Sequence, residues 1–448
     1  MHQGCHFLIF FKMNLRILIS GFGLLLFIGC TPEIDAEEQS LGDVDPTRFV
    51  AIGTSSTAGY ADDALHPDGQ ENSFVQILAT QLSLIQDVAF DSPLVGIGSV
   101  GTNLNGDSKL ELGYKTDCKS VTSLSPVRTA ASGDASIFGS NIYASNAFEN
   151  MGVPGLSALD ANTATYTNPF FARFAVNQTT SSVLQDAAVQ NPTFFSVMIG
   201  DEDILDFAMR GGVGTTIPPA NGAPSIGFDG SLNEVVQTLK ANGANGVIGN
   251  IPDVLSFPYF TTIPYNGLDL DAENATTLNS VFNPLGISFV EGDNAFTVDD
   301  PSEPFGVRKM VEGELILLSI PLDSVKCNGM GSIVPIPDEY FLSLDEIDII
   351  NTAASAYNSA ITSTAQMNNL ALADVNGLYA SLKTGIVYDG VSMDAEFVTG
   401  GFYSLDGRNL NPIGQALLAN EFIKAINDKY NSKIPWADVT KYHGVIFP

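Results

Sequence analysis

Positive charge is scarce in this 448-residue chain. Lys and Arg number 19 against 50 Asp and Glu, for a formal charge of −31. A surface this acidic repels phosphate backbones, and no basic stripe interrupts it, so nucleic acid is excluded as a partner and bare anionic lipid is disfavoured. The charge suits solubility in a salty exterior, or attraction of a cationic ligand or Ca²⁺. Histidine is also rare: of four, His2 and His6 fall at the very start, leaving His66 and His443. Of four cysteines, Cys5 and Cys30 precede the body, which keeps only Cys118 and Cys327. Metal-ligand spacing such as C-x-x-C is absent, so neither a metal nor a cofactor is expected. There is no internal repeat, and after residue 29 no apolar run is long enough to span a membrane. What is abundant is apolar: 45% hydrophobic against 15% charged, enough for a large core and against long disorder away from the ends.

Residues 17–29 read ILISGFGLLLFIG, followed by Cys30. The run is short for a membrane span but suits the apolar region of a signal peptide, with Lys12 and Arg16 as the positive start. It resembles a bacterial lipoprotein signal, FIGC over 27–30, with Phe27 where Leu is usual. The resemblance implies cleavage before Cys30 and lipidation of its thiol. MNLRILIS makes Met13 a second candidate for the start of translation. Without Lys12 and Arg16 the charge would be −31 − 2 = −33. Residues 31–47 then read as an acidic tether, so three parts are expected: signal peptide 1–29, tether 30–47 and folded body 48–448. Export, with the body held beside an outer membrane or cell surface by an acyl anchor, is the expected localisation.

The body alternates strand-like and helix-like segments. RFVAIGTS and PTFFSVMIGDED read as strands, the second ending in acids. SFVQILATQLSLI, SSVLQDAAVQ and NPIGQALLANEFIKAIND carry helical spacing. LNEVVQTLKANGANGVIGNIPDV reads as helix, turn and strand, and SLDEIDIINTAASAYNSAITSTAQMNNLALADVNG as helix then strand. Such alternation predicts an α/β fold, a parallel sheet covered on both faces, with its crevice at the carboxyl ends of the strands. Two stretches, about 91–147 and 255–340, break the alternation and are read as insertions.

Four blocks carry the chemistry. Gly53-Thr54-Ser55, with Gly59, ends the first strand. NMGVPG, residues 150–155, is a glycine-rich turn. Gly200-Asp201-Glu202-Asp203 ends another strand, and Asp406-Gly407-Arg408-Asn409 precedes Asn411, Pro412 and Gly414 at the start of the last helix. This order resembles the SGNH/GDSL hydrolases, lipases and acyl esterases of three-layer flavodoxin-like fold, and in particular their extended lipoprotein members. The resemblance implies Ser55 as nucleophile, Asp406 as orienting acid, and an oxyanion hole from Ser55 and Gly155. It also places Glu202 where the family has an oxyanion-binding Asn, Asn409 where it has the His base, and Thr54 where it has Asp or Asn.

Those replacements bear on activity. A serine hydroxyl needs a base to take its proton, and an amide cannot serve near neutral pH. An ionised Glu202 would repel the developing oxyanion, whereas a protonated one could donate to it; Glu202 as the base itself is the weaker alternative. His66, beside Pro67, is expected to be an exposed turn residue, and His443 to be structural or exposed. Asp201, Glu202, Asp203 and Asp406 read as separate carboxylates rather than a Ca²⁺ site. The aromatics of 168–174 and 257–266 are expected to pack under loops, with a pocket wall as the alternative. Whether Cys118 and Cys327 pair stays open. Two functions remain. One is hydrolysis of a small-molecule, lipid or carbohydrate ester, weak or lost through the missing base. The other is a non-catalytic surface lipoprotein that binds a lipid, glycan or peptide in the former cleft.

Overall fold

The computed structural model describes residues 38–143 and 147–448. Residues 1–37, with Cys30 and the expected signal peptide, lie outside the described residues. Five parallel strands form the central sheet: β1 (Phe49–Gly53), β2 (Asn150–Gly152), β3 (Phe194–Met198), β4 (Asn245–Gly249) and β5 (Ala371–Ala373). Their spatial order is β2-β1-β3-β4-β5. Strands β1 and β3 are buried along their whole length, which is why both read as unbroken apolar runs and not as alternating ones.

Helices cover both faces. On one side α1 (Phe74–Ser83) packs against α6 (Pro412–Tyr430); on the other α3 (Phe228–Leu239) packs against α4 (Leu344–Met367). The ends of these helices are written locally. Ser343 and Glu346 form a reciprocal capping box on α4. Asn411 caps α6 through the Gly414 N–H, with Pro412 in the first helical turn where its missing donor costs nothing. Phe228 of α3 stacks on Tyr357 of α4, with ring centroids 3.9 Å apart.

The structure departs from the sequence reading in three places. Strand β2 lies inside the segment read as a glycine-rich turn; only the residues after Gly152 turn. Its three residues are too few to show a period, yet they pair in register, Ala51 with Asn150 and Gly53 with Gly152. Next, the acids after β3 do not end a strand: they open helix α2 (Asp201–Ala208) after Gly200, whose φ is +113°. Carboxylates in a first turn face the positive end of the helix dipole. Finally, the stretch read as tether up to residue 47 is partly docked. Ser40 bridges Lys433, the Asp43 N–H donates to the Tyr430 carbonyl at 2.9 Å, and Val44 is buried in the main core. Between α4 and α6 in the chain lies a short helix, α5 (Val375–Leu382).

The two irregular stretches are built regions. The first holds an antiparallel hairpin, Leu110–Thr116 with Thr122–Arg128. The second holds short two-stranded ribbons around two hydrophobic clusters of its own, one centred on Phe296, Val298 and Phe341, the other on Leu278, Phe282 and Phe289. Cys118 and Cys327 join these two regions in a disulfide across 209 residues, with Cα atoms 6.4 Å apart. Among the described residues no helix is long and apolar enough to cross a membrane.

Candidate active site

The order of the sheet reverses between β1 and β3, and a doubly wound sheet opens a crevice at that point, beyond the carboxyl ends of the strands. Both candidate segments emerge there. Gly53 pairs with Met198 across the two strands, so the residues that follow each strand must meet. A Cβ at Gly53 would sit 1.9 Å from Thr57 Oγ1 and 2.9 Å from the Met198 carbonyl oxygen, so a side chain there would have to displace the turn that follows. Ser55 then opens a four-residue helical turn, Ser55–Ala58, closed by Gly59 at φ +72°.

Across the gap stand the acids of α2. Thr54 Oγ1 donates to both carboxylate oxygens of Asp201 at 3.2 Å, and the Ser55 hydroxyl donates to Glu202 Oε1. The Ala158 N–H donates to Asp203 Oδ2 at 2.9 Å. Burial, and then the nearby Glu202 charge, raises the Asp201 pKa; burial pushes that of Asp203 up to about 7. The three acids thus serve three different partners. Among the described residues no group of three or more His, Cys, Asp or Glu is disposed to hold a metal.

Asp406 sits on a loop that a hairpin turn props in place. Asp62 and Asp63 both adopt positive φ, 52° and 54°, in the two-residue turn between Tyr60–Ala61 and Ala64–Leu65. Aspartate tolerates that conformation better than most residues. The turn then clamps the loop: Asp62 N–H donates to Ser404 Oγ, Asp62 Oδ1 accepts from the Leu405 N–H, and the Asp63 N–H donates to Asp406 Oδ2. Asp406 also accepts from the backbone N–H groups of Arg408 and Asn409 at 3.0 and 2.8 Å, and from Asn409 Nδ2 at 2.9 Å. Four donors fill its acceptor sites. Asn409 therefore rests on Asp406 much as an orienting acid would hold a base, yet it presents an amide.

Neither remaining histidine supplies the base. His66 is 1% exposed, not the solvent-facing turn residue expected from Pro67. Its Nδ1 accepts the Gly69 N–H and caps the short helix Pro67–Glu71, while Nε2 lies 3.6 Å from Asp62. Burial lowers its pKa to about 4. His443 is half-exposed and bonds Asp68 at 3.1 Å.

Arg408 is the residue that sequence reasoning passed over. It is one of only 19 basic residues and adjoins the amide that stands at the expected base position, which was the available signal. Its guanidinium lies over the Tyr60 ring, 5.8 Å from the centroid. Burial works to lower its pKa, but the carboxylates of Glu202 and Asp406 overcome this and raise it.

Two chambers meet at Arg408 and Met209. One, about 490 Å³, is bordered by Gly155, Glu202 and Asp203. The other, about 550 Å³, is bordered by Asp406, Tyr259 and both inserted regions. Gly155, at φ +77°, is exposed on the first. Ser55 is 4% exposed and lines neither chamber; Glu202 stands between its hydroxyl and the smaller one. Of the aromatics, Phe170, Phe171 and Phe174 are core residues, whereas Tyr259 forms chamber wall.

No family model and no curated protein matches the chain. Among solved structures it is similar to an alpha/beta hydrolase enzyme from the metagenome of Lake Arreo, Spain, at 10% identity over 86% of this chain and 96% of that one, with a TM-score of 0.36. It is also similar to an extracellular lipase from Streptomyces rimosus, at 11% identity over 85% and 98%, TM-score 0.33. A gut microbial diltiazem-metabolizing enzyme matches at 12% identity over 86% of this chain and 49% of that one, TM-score 0.30. Likenesses at these scores carry no weight for the activity of this chain.

Proposed function

We propose that the chain is an exported lipoprotein on an SGNH/GDSL-type scaffold whose cleft now binds a ligand, with ester hydrolysis weak or lost. The strand order β2-β1-β3-β4-β5 supports the scaffold, being the flavodoxin-like order. So does the origin of the four blocks: Ser55 after β1, Gly155 after β2, Glu202 after β3, and Asp406 with Asn409 ahead of α6. Export and the acyl anchor rest on the segment ending at Cys30.

The observation that carries the loss of activity is the partner of Ser55. Its hydroxyl donates to a carboxylate at the position where an oxyanion would need a donor. Removing a triad histidine costs on the order of 10⁶ in rate in the subtilisin case, and removing one oxyanion donor roughly 10²–10³. Lacking both groups, an ester-hydrolase cleft is expected to keep little of its rate.

The same hydrogen bond favours one second reading, in which Glu202 takes the Ser55 proton and a Ser–Glu pair hydrolyses esters slowly. Labelling with a fluorophosphonate and assay of a short-chain aryl ester separate the two. The binding reading expects an unlabelled Ser55 and turnover no faster than a Ser55→Ala control. Rapid labelling at Ser55, abolished by Glu202→Gln, would establish the second reading instead.

A further inference from the structure

The larger chamber is made by the insertions, not by the sheet. One wall is the hairpin 110–128; the facing wall is the segment 318–326. Three links hold the walls together at one edge: the Cys118–Cys327 disulfide, the Lys326–Asp117 ion pair at 3.1 Å, and Lys115 with Asp323 at 3.9 Å. Much of the lining is apolar, from Leu110, Met209, Tyr259, Leu318, Leu322 and Phe397.

The charges in this chamber are almost all spent on each other. Arg128 pairs with Asp63 at 2.6 Å, and the two lysines pair as above. Asp406 is filled by four N–H donors. Arg408 is different. Among the described residues its guanidinium forms no ion pair within 4.0 Å and no side-chain hydrogen bond, and its contact is the face of Tyr60. Five N–H donors on a rigid fork therefore border a chamber of mixed apolar and charged lining with their hydrogen-bonding capacity unused. A planar carboxylate satisfies such a fork with two parallel bonds, and an ammonium or a hydrocarbon cannot. Glu202 and Asp406 lie near enough to favour the charged guanidinium; Glu202 Oε1 accepts from Ser55, and Asp406 accepts from the Asp63 N–H and from its own loop.

We infer that the 550 Å³ chamber between the disulfide-joined insertions is a binding site for an apolar organic carboxylate, its acid group bidentate on Arg408 and its body against Leu318, Tyr259 and Phe397. The ligand need not be an ester and need not reach Ser55, which does not line this chamber. The inference extends the binding reading above, yet the two can fail separately: labelling of Ser55 tests the loss of catalysis, and Arg408 reads the ligand.

The test is a calorimetric titration of the full-length protein with 4-butylbenzoate, compared with the uncharged 4-butylbenzyl alcohol and with acetate. The expected result is tighter binding of the benzoate than of either comparison compound, by about tenfold or more, as a hydrogen bond to a charged group warrants. Arg408→Met should remove the preference over the alcohol, and Arg408→Lys should restore only part of it. The Cys118→Ser/Cys327→Ser pair should weaken benzoate and alcohol alike, because it loosens the walls and leaves the guanidinium. Equal binding of benzoate and alcohol, a preference that survives Arg408→Met, or no binding of the benzoate would each overturn the inference. Circular dichroism of the Arg408→Lys protein checks that the fold is retained.

Discussion

The Ser55 hydroxyl and the Glu202 carboxylate, 147 residues apart in the chain, are hydrogen-bonded across the gap between β1 and α2. The parallel register of β1 with β3 makes their meeting obligatory. On the proposed reading a donor would stand at the place of Glu202, and here that place holds an acceptor for the alcohol.

Restoring the missing groups should restore chemistry. Asn409→His places an imidazole on Asp406, which already holds the amide at this position, and Glu202→Asn frees Ser55 while adding a donor. The double variant is expected to hydrolyse p-nitrophenyl acetate at least about 10²-fold faster than the native chain. A stopped assay against Ser55→Ala checks it, and no gain would mean that the cleft geometry has also shifted.

The disulfide should hold the insertions, and with them part of the stability. It closes a span of 209 residues, and cross-links over long spans remove the most entropy from the unfolded chain. Cys118→Ser with Cys327→Ser is expected to cost about 2–5 kcal/mol. Urea unfolding of the two proteins, without reductant, measures the difference.

Stability should fall as pH rises from about 4 to about 7. Asp203, with an unfolded value of 3.8, is pushed by burial to about 7, and Asp201 moves in the same direction. The folded state therefore keeps protons that the unfolded chain releases. The stability contributed by these protons is present at low pH and is lost as pH rises through about 7. His66 acts on the other side. Its neutral ring is favoured when buried, so its contribution is lost as pH falls from 6.5 through about 4. The two windows overlap, and with two acids set against one imidazole the net expectation is a fall from about pH 4 to about pH 7 that levels off above; Asp203→Asn should flatten that fall. Unfolding midpoints in urea from pH 4 to pH 9 would show it.

Two glycines should behave differently. A Cβ at Gly152 would sit 2.3 Å from the Ala58 backbone nitrogen and 2.6 Å from the Thr57 carbonyl carbon. Gly152→Ala must push β2 away from the Ser55 turn and is expected to cost roughly 1–3 kcal/mol or more. At Gly155 the nearest atom is Asn168 Nδ2 at 3.9 Å, so Gly155→Ala meets only the cost of φ +77°, about 1–2 kcal/mol. Chemical denaturation of both variants measures the contrast.

Much of the fold was legible because it is local. The buried strands read as apolar runs, α4 and α6 carry their caps in sequence, and the alternation of elements requires a parallel sheet. Strand β2 was hidden because three residues have no period, and its identity as a strand comes from its neighbour. His66 was misjudged for a similar reason: its burial depends on the fold around Pro67–Glu71, not on the proline beside it.

The sequence by itself determined the residue types: a serine after a strand, an Asp-x-x-Asn ahead of the last helix, three acids after another strand, and two cysteines in otherwise irregular stretches. Which of these groups meet was decided by tertiary structure alone. Register set Ser55 against Glu202, the Asp62–Asp63 turn clamped the Asp406 loop and gave Asp406 one of its four donors, and folding of the insertions brought Cys118 to Cys327 and left Arg408 bordering the chamber they enclose. Hydrogen bonds reach about 3 Å, whereas these partners lie tens to hundreds of residues apart, so no local pattern can encode them.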